Sequence, residues 1–111
     1  MIRHIVMWRV RGETVEERSA GRELVKQRFE SLRGRIPGMT ALEVGVDISA
    51  VDYACDVVLV TDFESQEALD AYAVHPEHLR VREALGELRI ARFQVDYSTR
   101  SSLGEAAHVQ A

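Results

Sequence analysis

The sequence predicts a single α+β domain whose elements follow the order β-α-β-β-α-β. Three observations support this prediction. The chain has 111 residues, 46% of them hydrophobic and 29% charged, as expected of one globular domain with a sizeable core. Four segments show the apolar alternation or the β-branched runs that are typical of strands. The stretches after the first and the third of these segments carry helix-start signals.

The first strand is predicted at residues 2–10, with both faces apolar, and the first helix follows it. Thr14-Val15-Glu16-Glu17 has the form of a capping box, which opens a helix predicted to run to about Leu32. Gly21 inside this helix costs about 1 kcal/mol relative to alanine, which requires either a close packing contact or a different element there. The inward residues are predicted to be His4, Val6, Trp8 and Val10 on the strand, and Ala20, Leu24, Val25, Phe29 and Leu32 on the helix.

Two strands are predicted in the middle of the chain. After the break at Ile36-Pro37-Gly38-Met39, an alternation with period two predicts a half-buried strand. Its inward residues are predicted to be Leu42, Val44, Val46 and Ile48. A turn at 49–54 precedes a strand predicted at 56–63, whose continuous run Val57-Val58-Leu59-Val60 favours a central strand covered on both faces.

Two short helices and a last strand are predicted after Phe63. Ser65 caps the first helix, the second follows a His-Pro junction, and the strand is predicted from Leu88 to Tyr97. The inward residues of the helices are predicted to be Ala68, Leu69, Tyr72, Leu79, Ala84 and Leu85. The domain is predicted to occupy residues 1–98, and the polar segment 99–111 is predicted to be a flexible tail.

This element order is that of the ferredoxin-like fold, in which two helices cover one face of a four-stranded antiparallel sheet. An exposed apolar patch on the other face is typical of an interface. A two-fold homodimer that packs sheet against sheet would bury it. The residues predicted on this face are Ile5, Met7, Val58, Val60, Phe93, Val95 and Tyr97.

Charge and composition exclude several classes of function. The net charge of −4 and the pI near 5.5 argue against a nucleic-acid partner. No apolar segment reaches the ~20 residues of a membrane span, so no membrane partner is expected. The single cysteine, Cys55, cannot form an internal disulfide, and the N-terminus is too short and too charged for a signal peptide. The cytoplasm is the expected location.

The segment Tyr72-Ala73-Val74-His75-Pro76-Glu77-His78 gathers a phenol and two imidazoles around a proline. Pro76 suits the first position of a helix, which makes His75 a junction residue with a structural role. His78 falls in the first turn of the new helix, where the macrodipole disfavours the protonated imidazole and keeps it available as a base. The structural alternatives are that the tyrosine is a core residue and that His78 is a buried group bonded to Asp96.

Five short motifs resemble the stress-responsive dimeric A/B barrel (Dabb) family over about residues 2–98. The motifs are Ile2-Arg3-His4-Ile5-Val6, Ile36-Pro37-Gly38-Met39, Phe63-Glu64-Ser65, Tyr72 with His75-Pro76-Glu77-His78, and Val95-Asp96-Tyr97. The resemblance implies a ferredoxin-like protomer that pairs with a second copy into a dimeric α+β barrel, with a pocket between sheet and helices in each protomer. Many members of the family have no established reaction.

Within the family, the chain is similar to olivetolic acid cyclase-like proteins, which close a linear polyketide by aldol chemistry without metal or organic cofactor. The similarity implies Tyr72 and His78 as a catalytic pair, Asp96 as the carboxylate that orients the histidine, and His4 as a further pocket histidine. A neutral histidine can remove an acidic C–H proton while a phenol donates a hydrogen bond to the developing enolate. No cofactor is expected for such chemistry.

Two departures from the cyclase pattern change the expected ligand. Val57 stands where the cyclase has a histidine, and Arg92 and Gln94 point toward the pocket where the cyclase is apolar. A smaller or more polar small molecule is therefore expected, such as an anion bound by Arg92. Trp8 is expected either as pocket wall or as core.

Metal binding and the type of activity stay open. His75 and His78 could chelate a cation, but no third ligand has matching spacing. Some members of the family hold a cation with backbone carbonyls after the first helix, here around 34–39, and such a site has no side-chain signature. Three functions remain: a cofactor-independent cyclase or isomerase, a cofactor-free monooxygenase of electron-rich aromatics, and a non-catalytic stress or ligand-binding dimer.

Overall fold

The structure, a computed structural model, describes residues 1–99. The predicted tail therefore lies outside the described residues from position 100 onward. The elements are β1 (Ile2–Val10), α1 (Val15–Glu30), β2 (Met39–Val46), β3 (Val57–Phe63), α2 (Gln66–Ala73), α3 (Pro76–Leu85) and β4 (Arg89–Ser98). This order confirms the predicted β-α-β-β-α-β arrangement, with the second helical segment divided at the His-Pro junction.

The four strands form one antiparallel sheet in the order β2-β3-β1-β4. The ferredoxin-like prediction is confirmed, and β3 lies inside the sheet as its apolar run predicts. Helices cover one face, and the core between them and the sheet consists of Val6, Trp8, Val10, Val25, Phe29, Leu32, Ile36, Leu42, Val44, Val57, Leu59, Phe63, Leu69, Tyr72, Val81 and Leu85. None of the helices within residues 1–99 is long and apolar enough to cross a membrane.

Helix α1 begins with the predicted capping box. The Thr14 hydroxyl accepts a hydrogen bond from the Glu17 N–H at 3.0 Å, and the Glu17 carboxylate accepts one from the Thr14 N–H at 3.1 Å. The close contact predicted at Gly21 is present, because a Cβ there would lie 3.2 Å from the Leu88 side chain and 3.5 Å from that of Val10. Ala20 is exposed, so its predicted inward position is wrong.

Strand β2 ends at Val46, two residues before its predicted end. The Asp47 carboxylate accepts hydrogen bonds from the Ser49 hydroxyl and the Ala50 N–H, which turns the chain out of the sheet. Ile48 is consequently 98% exposed, and its predicted inward position is wrong.

Helix α3 buries a different stripe from the one predicted. Val81 and Leu85 face the core, whereas Leu79 and Ala84 are exposed. Val81 and Leu85 are four residues apart and share a face, while Leu79 lies about 200° around the helix from Val81. The predicted inward positions of Leu79 and Ala84 are therefore wrong.

The outer face of the sheet presents the predicted apolar patch, which we call the outer patch. Cross-strand neighbours on this face include Ile5 with Val60 and Val95, and Met7 with Val58 and Phe93. Phe93 and Val95 are each 52% exposed in the single chain. The second face of β3 is thus only half-covered by this chain.

Asp56 joins β1, α1 and β2 at one end of the sheet. Its side chain accepts hydrogen bonds from the Val10 N–H at 2.8 Å and from the Arg22 Nε at 2.8 Å. Its backbone N–H donates to the Trp8 carbonyl, and its carbonyl accepts from the Asp47 N–H. Both carboxylate oxygens of this buried side chain are thus partnered.

Replacing Asp56 with alanine is expected to lower the free energy of unfolding by about 3 kcal/mol, because the Val10 N–H and the Arg22 guanidinium lose their acceptor. Urea unfolding at a fixed protein concentration measures the change. Asp52→Ala is the matched control, since Asp52 is exposed, and it should stay within about 0.5 kcal/mol of the wild type. Equal losses in the two variants would contradict the role of Asp56.

Candidate active site

A cavity of about 550 Å³ lies between the inner face of the sheet and helices α2 and α3. All seven predicted site residues line it: His4, Trp8, Tyr72, His78, Arg92, Gln94 and Asp96. The structure therefore brings the predicted residues into one place, while their chemical roles stay predictions. The apolar part of the wall comprises Val6, Phe29, Leu59, Leu69, Ile90 and Ala91.

Tyr72 and His78 meet across the junction between α2 and α3. His75 caps α3 in an extended conformation, with its Nδ1 accepting a hydrogen bond from the Glu77 N–H at 3.0 Å, and Pro76 occupies the first turn. The structure thus shows the helix-junction role that was predicted for His75 and Pro76. The turn brings the rings of Tyr72 and His78 face to face, with centroids 4.2 Å apart and a tilt of 33°.

His78 is held as a neutral imidazole. Burial lowers its pKa below the ordinary value of 6.5, and the nearby Arg82 and Arg89 lower the pKa further, while a hydrogen bond to the Ala73 carbonyl acts in the opposite direction. Its Nδ1 lies 3.2 Å from that carbonyl oxygen. Because a carbonyl only accepts, Nδ1 carries the hydrogen and Nε2 is left as the basic nitrogen.

The Tyr72 hydroxyl is buried without a partner among residues 1–99. The residue is only 3% exposed, and burial raises the pKa of the phenol above its ordinary value of 10. The phenol therefore keeps its proton at neutral pH. Within residues 1–99 this O–H group has no acceptor, and Tyr72 is one of the residues that line the cavity.

Asp96 contacts His4, and the predicted Asp96–His78 pairing is wrong. Asp96 Oδ1 lies 2.6 Å from His4 Nδ1, and Gln94 donates to the other carboxylate oxygen at 3.0 Å. The reason is strand register, because His4 and Asp96 are directly opposite on β1 and β4. Asp96 thus orients His4, while the Ala73 carbonyl orients His78.

Trp8 belongs to both the core and the cavity wall. Its indole stacks on Phe29 with ring centroids 4.7 Å apart, and the Arg89 guanidinium carbon lies 5.2 Å from the indole centroid. The sequence did not predict Arg89 in the cavity, because the alternation of β4 places it on the outer face. A bulge opposite Arg9 and Val10 makes Ile90 an extra residue and reverses the parity at Arg89.

The side chains that the structure describes do not form a metal-binding cluster. Within residues 1–99, no three His, Cys, Asp or Glu side chains come together. His75 Nδ1 is already used by the Glu77 N–H. In the loop at 34–39, the carbonyls of Ile36 and Gly38 accept hydrogen bonds from the N–H groups of Met39 and Glu64, so these two oxygens hold the loop together.

Comparison with known proteins gives one family and several similar structures. The family model of the stress responsive A/B barrel domain matches residues 2–99. None of the curated proteins compared with the chain matches it.

Solved structures share the fold over most of the chain. A dimeric protein of unknown function with a ferredoxin-like fold from Bacteroides fragilis is 28% identical, with a TM-score of 0.77 over 88% of this chain and 95% of that one. A dimeric ferredoxin-like protein from Thermobifida fusca is 22% identical, with a TM-score of 0.74 over 88% and 90% of the two chains. The hydroxynitrile lyase of Passiflora edulis is 14% identical, with a TM-score of 0.72 over 92% and 95%. The last two similarities show the fold alone.

The side-chain ¹⁵N resonances of His78 are expected to titrate with a pKa below 6.5 and to show the Nδ1–H tautomer at neutral pH, because burial disfavours the imidazolium and the Ala73 carbonyl needs a donor. NMR titration of ¹⁵N-histidine-labelled protein measures both, with His78→Gln assigning the resonance. A pKa above 6.5 or an Nε2–H tautomer would contradict this description of the site.

The lowered pKa of His78 also makes the stability of the fold depend on pH. Because the unfolded chain binds the His78 proton more tightly than the native chain does, the contribution of neutral His78 is complete above pH 6.5. It is lost as the pH falls through the lower native pKa. When the pH is lowered from 7 to below the native pKa of His78, the His78→Gln variant should therefore lose less stability than the wild type.

Proposed function

The chain belongs to the stress responsive A/B barrel domain family, and on this premise we propose that it is a cofactor-independent cyclase or isomerase. His78 acts as the base and Tyr72 as the hydrogen-bond donor in a proton transfer on a small molecule bound in the cavity. The activity is of the kind found in olivetolic acid cyclase-like proteins. The acid–base groups of this proposed reaction are all side chains of the chain itself.

The unpartnered hydroxyl of Tyr72 beside a neutral His78 is the observation that carries the proposal. Both residues line the same cavity, and each has the protonation state that its role requires, because the pKa of His78 is lowered and that of Tyr72 is raised. Burying an unpartnered hydroxyl costs about 1–3 kcal/mol. A ligand oxygen bonded to this hydroxyl would offset that cost when the cavity is filled.

The proton transfer follows from these protonation states. His78 Nε2 takes a proton from a carbon next to a carbonyl, and the electron pair left on that carbon moves onto the carbonyl oxygen. The Tyr72 hydroxyl donates to that oxygen as its negative charge develops. In an isomerisation, the imidazolium then returns the proton to carbon or oxygen, and the reaction is complete. In a cyclisation, the carbon–carbon bond forms first and the imidazolium returns the proton afterwards.

The His4–Asp96 pair contributes a second polar group to the same cavity. The His4 ring centroid lies 6.2 Å from that of Tyr72, and Asp96 fixes the ring from the opposite strand. A histidine oriented by a carboxylate is a stable hydrogen-bonding partner for a ligand. We assign His4 and Gln94 to substrate binding, and Asp96 to the positioning of His4.

We further propose that the active form is a homodimer joined through the outer patch. Large side chains on this face, among them Phe93 and Val95, are half-exposed in the single chain. Exposed apolar patches of this kind mark interfaces, and two-fold dimers are the commonest assembly. The similar proteins from Bacteroides fragilis and Thermobifida fusca are both described as dimeric.

The alternative function is a non-catalytic ligand-binding dimer. It is favoured by one feature of the site, since the rings of Tyr72 and His78 meet face to face and no hydrogen bond joins the two side chains within residues 1–99. A site that only binds does not need a proton relay. Binding without proton exchange would support this alternative.

Tyr72→Phe and His78→Gln are each expected to lower catalysed proton exchange by about 100-fold or more, because each removes one half of the acid–base pair. Exchange of the α-protons of small β-dicarbonyl compounds in D₂O, followed by NMR, measures this without knowledge of the natural substrate. Tyr72→Phe should keep or raise the melting temperature, because the lost hydroxyl has no protein partner within residues 1–99.

Tyr53→Phe is the matched control for the tyrosine, because Tyr53 is 82% exposed and does not line the cavity. It should leave exchange unchanged. Exchange by the wild type at the buffer rate, or at equal rates in the wild type, Tyr72→Phe and His78→Gln, would refute the proposed enzyme.

Val95→Asp is expected to convert the dimer into a folded monomer, because it places a charge in the outer patch beside Ile5. Light scattering coupled to size-exclusion chromatography measures the mass. Val74→Asp is the control, since Val74 is a 71% exposed valine outside the sheet. A monomeric wild type, or a Val95→Asp variant that stays dimeric, would overturn the interface.

A further inference from the structure

Three arginines line the cavity and have no partner for their charge within residues 1–99. Arg82, Arg89 and Arg92 all contribute to the wall. Within residues 1–99, none of them forms a side-chain hydrogen bond or an ion pair, although five such pairs form elsewhere in that range. Unpaired guanidinium groups that gather around one cavity attract an anion.

The two carboxylates of the cavity wall, Asp70 and Asp96, form no ion pair with these three arginines within residues 1–99. Asp96 is engaged by His4 and Gln94, and Asp70 accepts a hydrogen bond from Gln66 at 3.0 Å. Both acidic side chains thus have other partners. The cavity keeps an excess of positive charge, although the chain as a whole has a net charge of −4.

Arg89 is the most firmly placed of the three. Its Nε is buried and has no hydrogen-bond partner within residues 1–99. Its guanidinium carbon lies 5.2 Å from the Trp8 ring centroid and 5.6 Å from that of Phe29, so aromatic faces hold the group on one side. The bulge at Ile90 turns it into the cavity.

The electrostatics agree with this geometry. Burial lowers the pKa of Arg89, and the positive charges of Arg82 and Arg92 lower it further. Both effects destabilise the Arg89 charge. An anion bound beside Arg89 would offset this cost.

We propose that Arg89, assisted by Arg82 and Arg92, anchors an oxyanion group, a carboxylate or a phosphate, on a small molecule with an apolar body. The planar guanidinium matches such groups through paired hydrogen bonds. The apolar body packs on the wall formed by residues such as Leu69 and Ile90. The cavity volume of about 550 Å³ lies within the usual range for sites that bind small molecules. This inference rests on the proposed function, because it names the substrate class of the same cavity.

The single tryptophan makes the binding measurable without turnover. Trp8 is the only tryptophan of the chain, and Arg89 lies over its ring. An anion that binds Arg89 should change the Trp8 fluorescence in a saturable way. The probes are benzoate, phenyl phosphate and the neutral benzamide, each titrated into the full chain at low ionic strength.

The expected result is that at least one oxyanion binds about tenfold or more tightly than benzamide, and that its affinity falls with added salt. Preference for benzoate indicates a carboxylate ligand, and preference for phenyl phosphate indicates a phosphate ligand. Arg89→Met should weaken the preferred anion by about 10- to 100-fold and leave benzamide nearly unchanged. Arg28→Met is the matched control, since Arg28 is exposed on α1, and it should bind like the wild type.

Arg89→Lys keeps the charge and tests the anchor if the methionine variant fails to fold. It should retain part of the anion preference, because lysine supplies the charge without the planar pair of donors. Equal binding of benzamide and the oxyanions, unchanged anion affinity in Arg89→Met, or no saturable response to either oxyanion up to about 10 mM would overturn the inference. Loss of proton exchange in the Tyr72 and His78 variants is a separate result, because binding at Arg89 does not require them to react.

Discussion

The structure depends on a four-stranded sheet with two apolar faces and helices sufficient for only one of them. The helices pack mainly on β1, β2 and β3, where the core residues such as Val6, Leu59 and Phe63 are fully buried. The inner side of β4 carries the exposed polar residues Arg92 and Gln94 and remains uncovered. The cavity lies at this uncovered side, and the outer patch lies on the opposite face of the sheet.

Two kinds of buried polar group separate the structural residues from the functional ones. Asp56 is buried with both oxygens partnered, and it joins three elements. The Tyr72 hydroxyl and the Arg89 Nε are buried without partners in the described chain, and both border the cavity. Because unpartnered buried donors destabilise a folded protein, their presence together beside one cavity supports the ligand site that we propose.

The sequence predicted the features that local interactions decide. The capping box at Thr14, the break at Pro76 and the alternation of β1 depend on neighbouring residues, and each is present in the structure. Ile48 and Leu79 were misplaced because their exposure depends on where a strand leaves the sheet and on which side of a helix meets the core. Neither of these is encoded in a short window of sequence.

The wrong partner predicted for Asp96 and the unpredicted position of Arg89 have a common physical cause, which is strand register. Asp96 pairs with His4 because the two strands align at that position, and Arg89 enters the cavity because one extra residue is inserted near the start of β4. The resemblance to the family implied His78 and Tyr72 as a pair, and a local turn brings them together, whereas partner choice across strands is a long-range property. The consequence is chemical, because the carboxylate fixes His4 and leaves His78 governed by burial and a backbone carbonyl. A base controlled in this way is unprotonated near neutral pH and has an unshared Nε2, which is the state that the removal of a proton from carbon requires.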